Sequence, residues 1–164
     1  EKIDKVFWRG GSTGWDYRPS SRMKLVKRWA GVRPDIDIKF SHLCQEYKLP
    51  GVRERWRPYV DKLTDISTFI DHKYLISAEG NDKDSGLNWK LNSNSLVLMP
   101  KPLSTSWLME RKLIPNHHYI LLKNDFSDFQ FISSWEKNYK SWTKQDIFPI
   151  YKFFNNINKK KPEN

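Results

Sequence analysis

Short apolar runs, separated by polar turns and by stretches with helical periodicity, recur along the chain in one order. Lys73–Ala78 is an apolar run with the length of a buried strand, Glu79–Asp84 is a polar turn, Ser85–Ser93 predicts a short helix, and Ser95–Met99 is a second apolar run. Together they predict a βαβ unit. Upstream, Lys5–Trp8 predicts a strand and Arg9–Gly14 a glycine-rich turn. Ser21–Ala30 then predicts a helix, with Ser20 or Ser21 as its N-cap and Gly31 as its stop. In Asp35–Phe40 the apolar Ile36, Ile38 and Phe40 alternate with Asp37 and Lys39, the mark of a half-buried strand.

Leu49–Arg57 is polar, basic and interrupted by Pro50 and Gly51, which predicts a loop. Val60, Leu63, Ile66 and Ile70 recur at helical spacing over Tyr59–Asp71. Ser104–Lys112 predicts a further helix and Tyr119–Lys123 a strand, with Asp125 placed to cap the next element. The alternation of strand and helix through short connections predicts an α/β fold, a Rossmann-like parallel sheet with helices on both faces. The pattern holds over residues 1–128. Across 129–164 it is lost: Phe129–Ile150 carries Trp135, Trp142 and Pro149 without a period, and Asn155–Asn164 predicts a disordered basic tail.

A chain of 164 residues suits one domain. It starts at Glu1 with an apolar strand almost at once, which reads as a piece of a longer protein. Lys and Arg number 29 against 19 Asp and Glu, a formal +10 that concentrates anionic partners such as nucleic acid, anionic lipid or nucleotide diphosphates. No apolar stretch approaches the length of a membrane span. Cys44 is the single cysteine, so no intrachain disulfide can form and a reducing, cytoplasmic setting is expected.

Candidate chemistry gathers at two turns. Arg9, Gly10, Gly11, Ser12, Thr13 and Gly14 follow a strand and precede a helix, where glycines let backbone N–H groups converge on an anion and hydroxyls add donors. No Gly-Lys-Ser/Thr comes after them, so this is not a Walker A loop. In open α/β sheets ligands sit beyond the carboxyl ends of strands, which places Gly80, Asn81, Asp82 and Ser85 to face one. Asp82 and Asp84 have the spacing of a metal-binding DxD pair, but Lys83 lies between them, and helix capping is the preferred role; no metal site is expected. Trp89, Trp107 and Tyr119 are candidates for the core or for stacking on a base.

The strand and turn KYLISAEGND, then SNS before an apolar strand, MPKP, Trp107 and KLIPNHHY resemble glycosyltransferase family 90, nearest its bacterial lipopolysaccharide-core branch. With FWRGGSTG at Phe7–Gly14, the resemblance covers about Val6 to Asp128. It implies the C-terminal, nucleotide-sugar-binding lobe of a GT-B glycosyltransferase. The implied reaction is metal-independent and inverting, moving a sugar from a UDP-sugar to a hydroxyl of a saccharide or lipid-linked saccharide in lipopolysaccharide or capsule synthesis. UDP-sugar is then a substrate, and no cofactor is expected. By the same resemblance, Arg9, Ser12, Thr13 and Arg22 contact the diphosphate, while Asn81 and Asp82 bond sugar or ribose hydroxyls. The catalytic base is expected on an upstream lobe, so no residue here is assigned to it. Where the family carries a basic side chain, this chain has Asn88; Lys90, the helix's basic residue, is counted among the donor-binding candidates although it lies about 200° round the axis from that position. The expected location is the cytoplasm, with peripheral contact at the anionic inner face of the membrane. Two alternatives stay open: a basic, aromatic nucleic-acid-binding module, and an inactive relative that keeps only the fold.

Overall fold

The computed structural model describes residues 2–129. Five strands form one sheet: β1 (Ile3–Gly11), β2 (Ile36–His42), β3 (His72–Ile76), β4 (Leu96–Pro100) and β5 (Ile120–Leu122). Their order is β2-β1-β3-β4-β5 and every pairing is parallel. The α/β, Rossmann-like arrangement expected from the alternation of elements is therefore present.

Four helices accompany the strands: α1 (Arg22–Trp29), α2 (Val52–Trp56), α3 (Ile66–Ile70) and α4 (Leu87–Leu91). From β1 the chain steps one way to β2 and later the other way to β3. Crossovers of one hand must then lay helices on opposite faces. Side-chain parity agrees. Val6 and Trp8 of β1, Tyr74 and Ile76 of β3 and Leu98 of β4 enter one core with Met23, Val26 and Trp29 of α1 and Trp56 of α2. Phe7 and Leu75, one residue out of step, meet Phe69 of α3 on the other face, with Trp89 of α4 alongside. Helices thus cover both faces.

Ser21 caps α1, its Oγ accepting from the Lys24 N–H at 3.2 Å, as the sequence predicts. Trp29 closes the far end. Its Nε1 donates to the Phe126 carbonyl at 2.5 Å, and its ring stacks on Phe129 at 5.1 Å between centroids. Phe129 is fully buried in the same core; the expectations for 130–164 fall outside the described residues. Replacing Trp29 with Phe keeps most of the packing but leaves the buried Phe126 carbonyl without its donor. A loss of about 1–3 kcal/mol is expected in urea unfolding.

Three predicted elements differ. Leu49–Arg57, predicted as loop, contains α2, because Trp56 buries itself against Phe40 and Tyr47 (centroids 5.8 and 5.7 Å) and the Glu54 carboxylate receives the Gly51 N–H. Tyr59–Asp71 is helical only over Ile66–Ile70. Its first part runs extended, Val60 bridging to Phe40 and the Asp61 N–H donating to the Phe40 carbonyl at 2.8 Å. Phe69 is buried there, while Leu63, Ile66 and Ile70 face solvent. Ser104–Lys112 forms only a 3-10 turn at Glu110–Lys112. Ahead of it Glu79 accepts from the N–H groups of Leu103 and Ser104, and Glu110 from that of Ser106.

Candidate functional site

The step from β1 to both of its neighbours makes the β1/β3 junction the point where strand order reverses. In open parallel sheets a ligand crevice is expected at such a point, beyond the carboxyl ends of the strands. The loops leaving β1 and β3 meet at this junction. Gly14 N–H donates to Asn81 Oδ1 at 3.0 Å, and Arg18 Nη1 donates to the Gly80 carbonyl at 3.0 Å. The approach is close enough to require glycine at both contact points. Gly14 has φ +93°, and a Cβ on it would lie 2.8 Å from the Gly80 carbonyl oxygen; a Cβ on Gly80 would lie 2.5 Å from Thr13 Oγ1.

Arg22, the first residue of α1, fastens this junction. Its Nε donates to the Ala78 carbonyl at 3.1 Å, and its Nη1 to the Gly11 carbonyl at 3.0 Å and to Thr13 Oγ1 at 2.8 Å. One guanidinium therefore spans the ends of β1 and β3. Burial pushes its pKa below the ordinary arginine value, and the carboxylates of Asp84 and Asp82 work against that shift. None of these three bonds uses Nη2.

The other predicted residues divide between the crevice and the scaffold. Thr13, Gly80, Asn81, Asp82 and Ser85 lie on the two converging loops, with Asn81, Asp82 and Ser85 exposed. Gly10 and Gly11 are the last residues of β1 and not part of a free turn. Ser12 is fully buried, its Oγ accepting from the Cys44 N–H at 2.7 Å, and so ties β1 to the segment after β2.

Arg9 differs from its predicted place. Because β1 runs on through Gly11, Arg9 falls on the Phe7 side of the sheet. There its Nη2 lies 2.8 Å from Asp37 and 3.1 Å from Asp61, with the guanidinium over the Phe7 ring at 4.7 Å. It braces β2 and does not face the crevice. Lys90 is likewise internal at 3% exposure: its Nζ lies 2.5 Å from Asp84 Oδ2 and 3.0 Å from the Ile76 carbonyl. The ammonium is neutralised within the fold.

Asp84 also accepts from Ser77 Oγ at 2.8 Å and from the Gly86 N–H at 3.0 Å. It lies buried in the turn before α4, which has no side-chain cap, whereas Asp82 stays at the surface. Trp107 is exposed, Trp89 half-buried, and Tyr119 fully buried.

Three crevice residues were missed from the sequence. Arg18 lies in the Trp15–Ser20 segment, and Gln45 reaches in from the β2 side, its Nε2 donating to Asn81 Oδ1 at 3.3 Å. Lys83 lines a small pocket with Ser20, Glu79, Lys101 and Glu110. The basic side chains beside a glycine turn were the one available signal for Arg18 and Lys83; nothing in the sequence singled out Gln45.

The fold and the paired loops define a parallel α/β domain whose β1 and β3 loops meet at its topological switch point. The chain belongs to glycosyltransferase family 90, whose family model matches residues 1–147. It is similar to the O-glucosyltransferase LpsA of Dichelobacter nodosus, 37% identical over 129 residues, a match covering 79% of this chain and 36% of that protein. The chain thus spans about a third of the length of that relative. No solved structure matches it. Among the described residues, no helix is long and apolar enough to cross a membrane.

Proposed function

We propose that this chain is the donor-binding lobe of a glycosyltransferase that takes a sugar from a UDP-sugar and passes it, with inversion and without a metal, to a hydroxyl of a saccharide acceptor in lipopolysaccharide or capsule synthesis. Membership of family 90 and the similarity to an O-glucosyltransferase support the class of reaction. The observation that carries the donor site is the meeting of the Gly14 and Gly80 loops under Arg22 at the β1/β3 junction.

In this reading the diphosphate lies across the junction, within reach of Arg22 Nη2, Arg18 and Lys83. Negative charge grows on the diphosphate as the glycosidic bond to it breaks. Fixed cationic donors there stabilise the transition state more than the ground state. Asn81 and Asp82, exposed on the β3 loop, bond ribose or sugar hydroxyls. The base that takes the acceptor proton belongs to the rest of the enzyme. Contact with an anionic membrane surface in the cytoplasm fits the net +10.

Calorimetric titration with UDP and with a single-stranded oligonucleotide tests the assignment. Saturable UDP binding is expected, weakened about tenfold or more by Arg22→Lys, because lysine cannot keep the fork of bonds to two carbonyls and still offer an edge to phosphate. Salt-steep oligonucleotide binding with no response to UDP would replace this function with nucleic-acid binding.

A further inference from the structure

Past β2 the chain builds a second feature that the donor crevice does not include. A 3-10 turn at Gln45–Lys48, α2, and a 3-10 turn at Arg57–Tyr59 stand around a pocket of about 470 Å³ lined by Leu43, Lys48, Arg53, Arg57 and Val60. Three of these five side chains are cations. Among the described residues, none of the three has a carboxylate within ion-pair distance.

The acid on the same helix is engaged elsewhere. Glu54 accepts the Gly51 N–H at 2.5 Å, capping α2. Its pKa is lowered first by backbone N–H donors, its own and that of Gly51, and then by the fields of Arg53 and Arg57, so both guanidinium charges remain felt nearby. Gathering three like charges around one concavity costs self-repulsion, which a bound anion relieves. Two guanidiniums and an ammonium match a phosphate group, which arginine can hold through paired N–H donors. The apolar Leu43 and Val60 offer nothing to an anion but can cover the carbon skeleton that bears it.

The segment that begins at Leu43 links the pocket to the donor loops. Cys44 and Gln45, the two residues after Leu43, are bonded to Ser12 and to Asn81 respectively. A molecule seated in the pocket therefore sits beside the donor loops.

We propose that this pocket binds a phosphorylated saccharide, its phosphate held by Lys48, Arg53 and Arg57 and its ring carbons resting on Leu43 and Val60, as a subsite for the acceptor. The acceptor role rests on the donor-site assignment above; the phosphosugar site stands without it.

The test tracks amide and indole NMR shifts of the 164-residue chain titrated with glucose 6-phosphate, glucose, inorganic phosphate, UDP and anionic lipid vesicles, in wild type and two variants. Glucose 6-phosphate is expected to bind more tightly than either inorganic phosphate or glucose. The joint Arg53→Gln, Arg57→Gln variant should weaken it about tenfold or more and leave UDP binding unchanged. The Lys112→Gln, Lys123→Gln variant removes the same charge from exposed positions toward the β5 edge and should change neither. Equal weakening in both variants, unchanged binding in the first, or inorganic phosphate binding as tightly as glucose 6-phosphate would overturn the proposal. So would a loss confined to vesicle binding, which would make the cluster a lipid-headgroup contact. Binding of glucose 6-phosphate without any of UDP would remove the donor assignment and leave the pocket standing, so the two failures are distinct.

Discussion

Gly14→Ala is expected to weaken UDP binding at least tenfold while the sheet stays folded. At φ +93° a Cβ is strained, and it would point 2.8 Å from the Gly80 carbonyl, so the loop after β1 must draw back from the loop after β3. The backbone strain alone costs about 1–3 kcal/mol. Gly31→Ala separates strain from displacement, because Gly31 also has a positive φ, +73°, but a Cβ there meets nothing within 4 Å. Gly31→Ala should lower stability and leave UDP affinity as it is. Calorimetry on both variants decides: equal affinities would mean that the contact between the two loops does not shape the donor site.

The second large effect is expected at the Asp84–Lys90 pair. Lys90→Met fits the space but leaves the Asp84 carboxylate buried without its cation, a loss of about 3–5 kcal/mol in urea unfolding. Adding Asp84→Asn should recover part of it, since the charge then disappears while the amide oxygen can still accept from the Gly86 N–H and the amide NH2 can donate to Ser77 Oγ.

The pair also sets an acid limit. Burial alone would raise the pKa of Asp84, but the Lys90 ammonium, with hydrogen bonds from Lys90, Gly86 and Ser77, brings it below the ordinary carboxylate value. A carboxyl depressed in the folded state contributes stability that is complete above its unfolded pKa of about 3.9 and is lost as pH falls through the folded value. Wild-type stability should therefore lose this contribution below about pH 4. In Lys90→Met burial acts unopposed by the ammonium, the carboxyl takes up its proton more readily, and the variant's deficit should shrink on acidification. A deficit constant with pH would show that the pair carries little of this charge effect.

How much was legible in the sequence depended on whether a feature is local. Each apolar run of the sheet was readable, since a strand of four to eight residues shows its length and its alternation directly. The Ser21 cap and the end of α1 were readable for the same reason. Segments with weak local signals were misplaced. Residues 49–57 carry Pro50 and Gly51, yet Trp56 gains enough burial against Phe40 and Tyr47 to hold a helical turn. In 59–71 the period was right only near its end, and its phase was wrong: Phe69, not Ile66 or Ile70, is the residue the core accepts.

The site divides in the same way. The glycines and polar residues of the two loops could be picked out, because a strand followed by glycine and then a helix is a local pattern. Arg9 was assigned to the diphosphate by the family resemblance, and Lys90 was counted with the donor residues as the basic residue nearest Asn88, but their direction depends on where β1 ends and on which side of α4 is covered. The strand continues for three residues past its predicted end, Arg9, Gly10 and Gly11, and this places Arg9 against Asp37 and Asp61. Lys90, three residues after the buried Leu87, shares its covered side and meets Asp84.

The sequence by itself determined the five strands, their alternation with helices and membership of the family, since these are properties of short stretches or of residue identity. Only the tertiary structure decided that the loops at Gly14 and Gly80 touch, that Arg22 ties them, and that Arg9 and Lys90 are spent inside the fold. Those outcomes hinge on β3 pairing with β1, a contact between segments distant along the chain, which packing selects and no local pattern encodes.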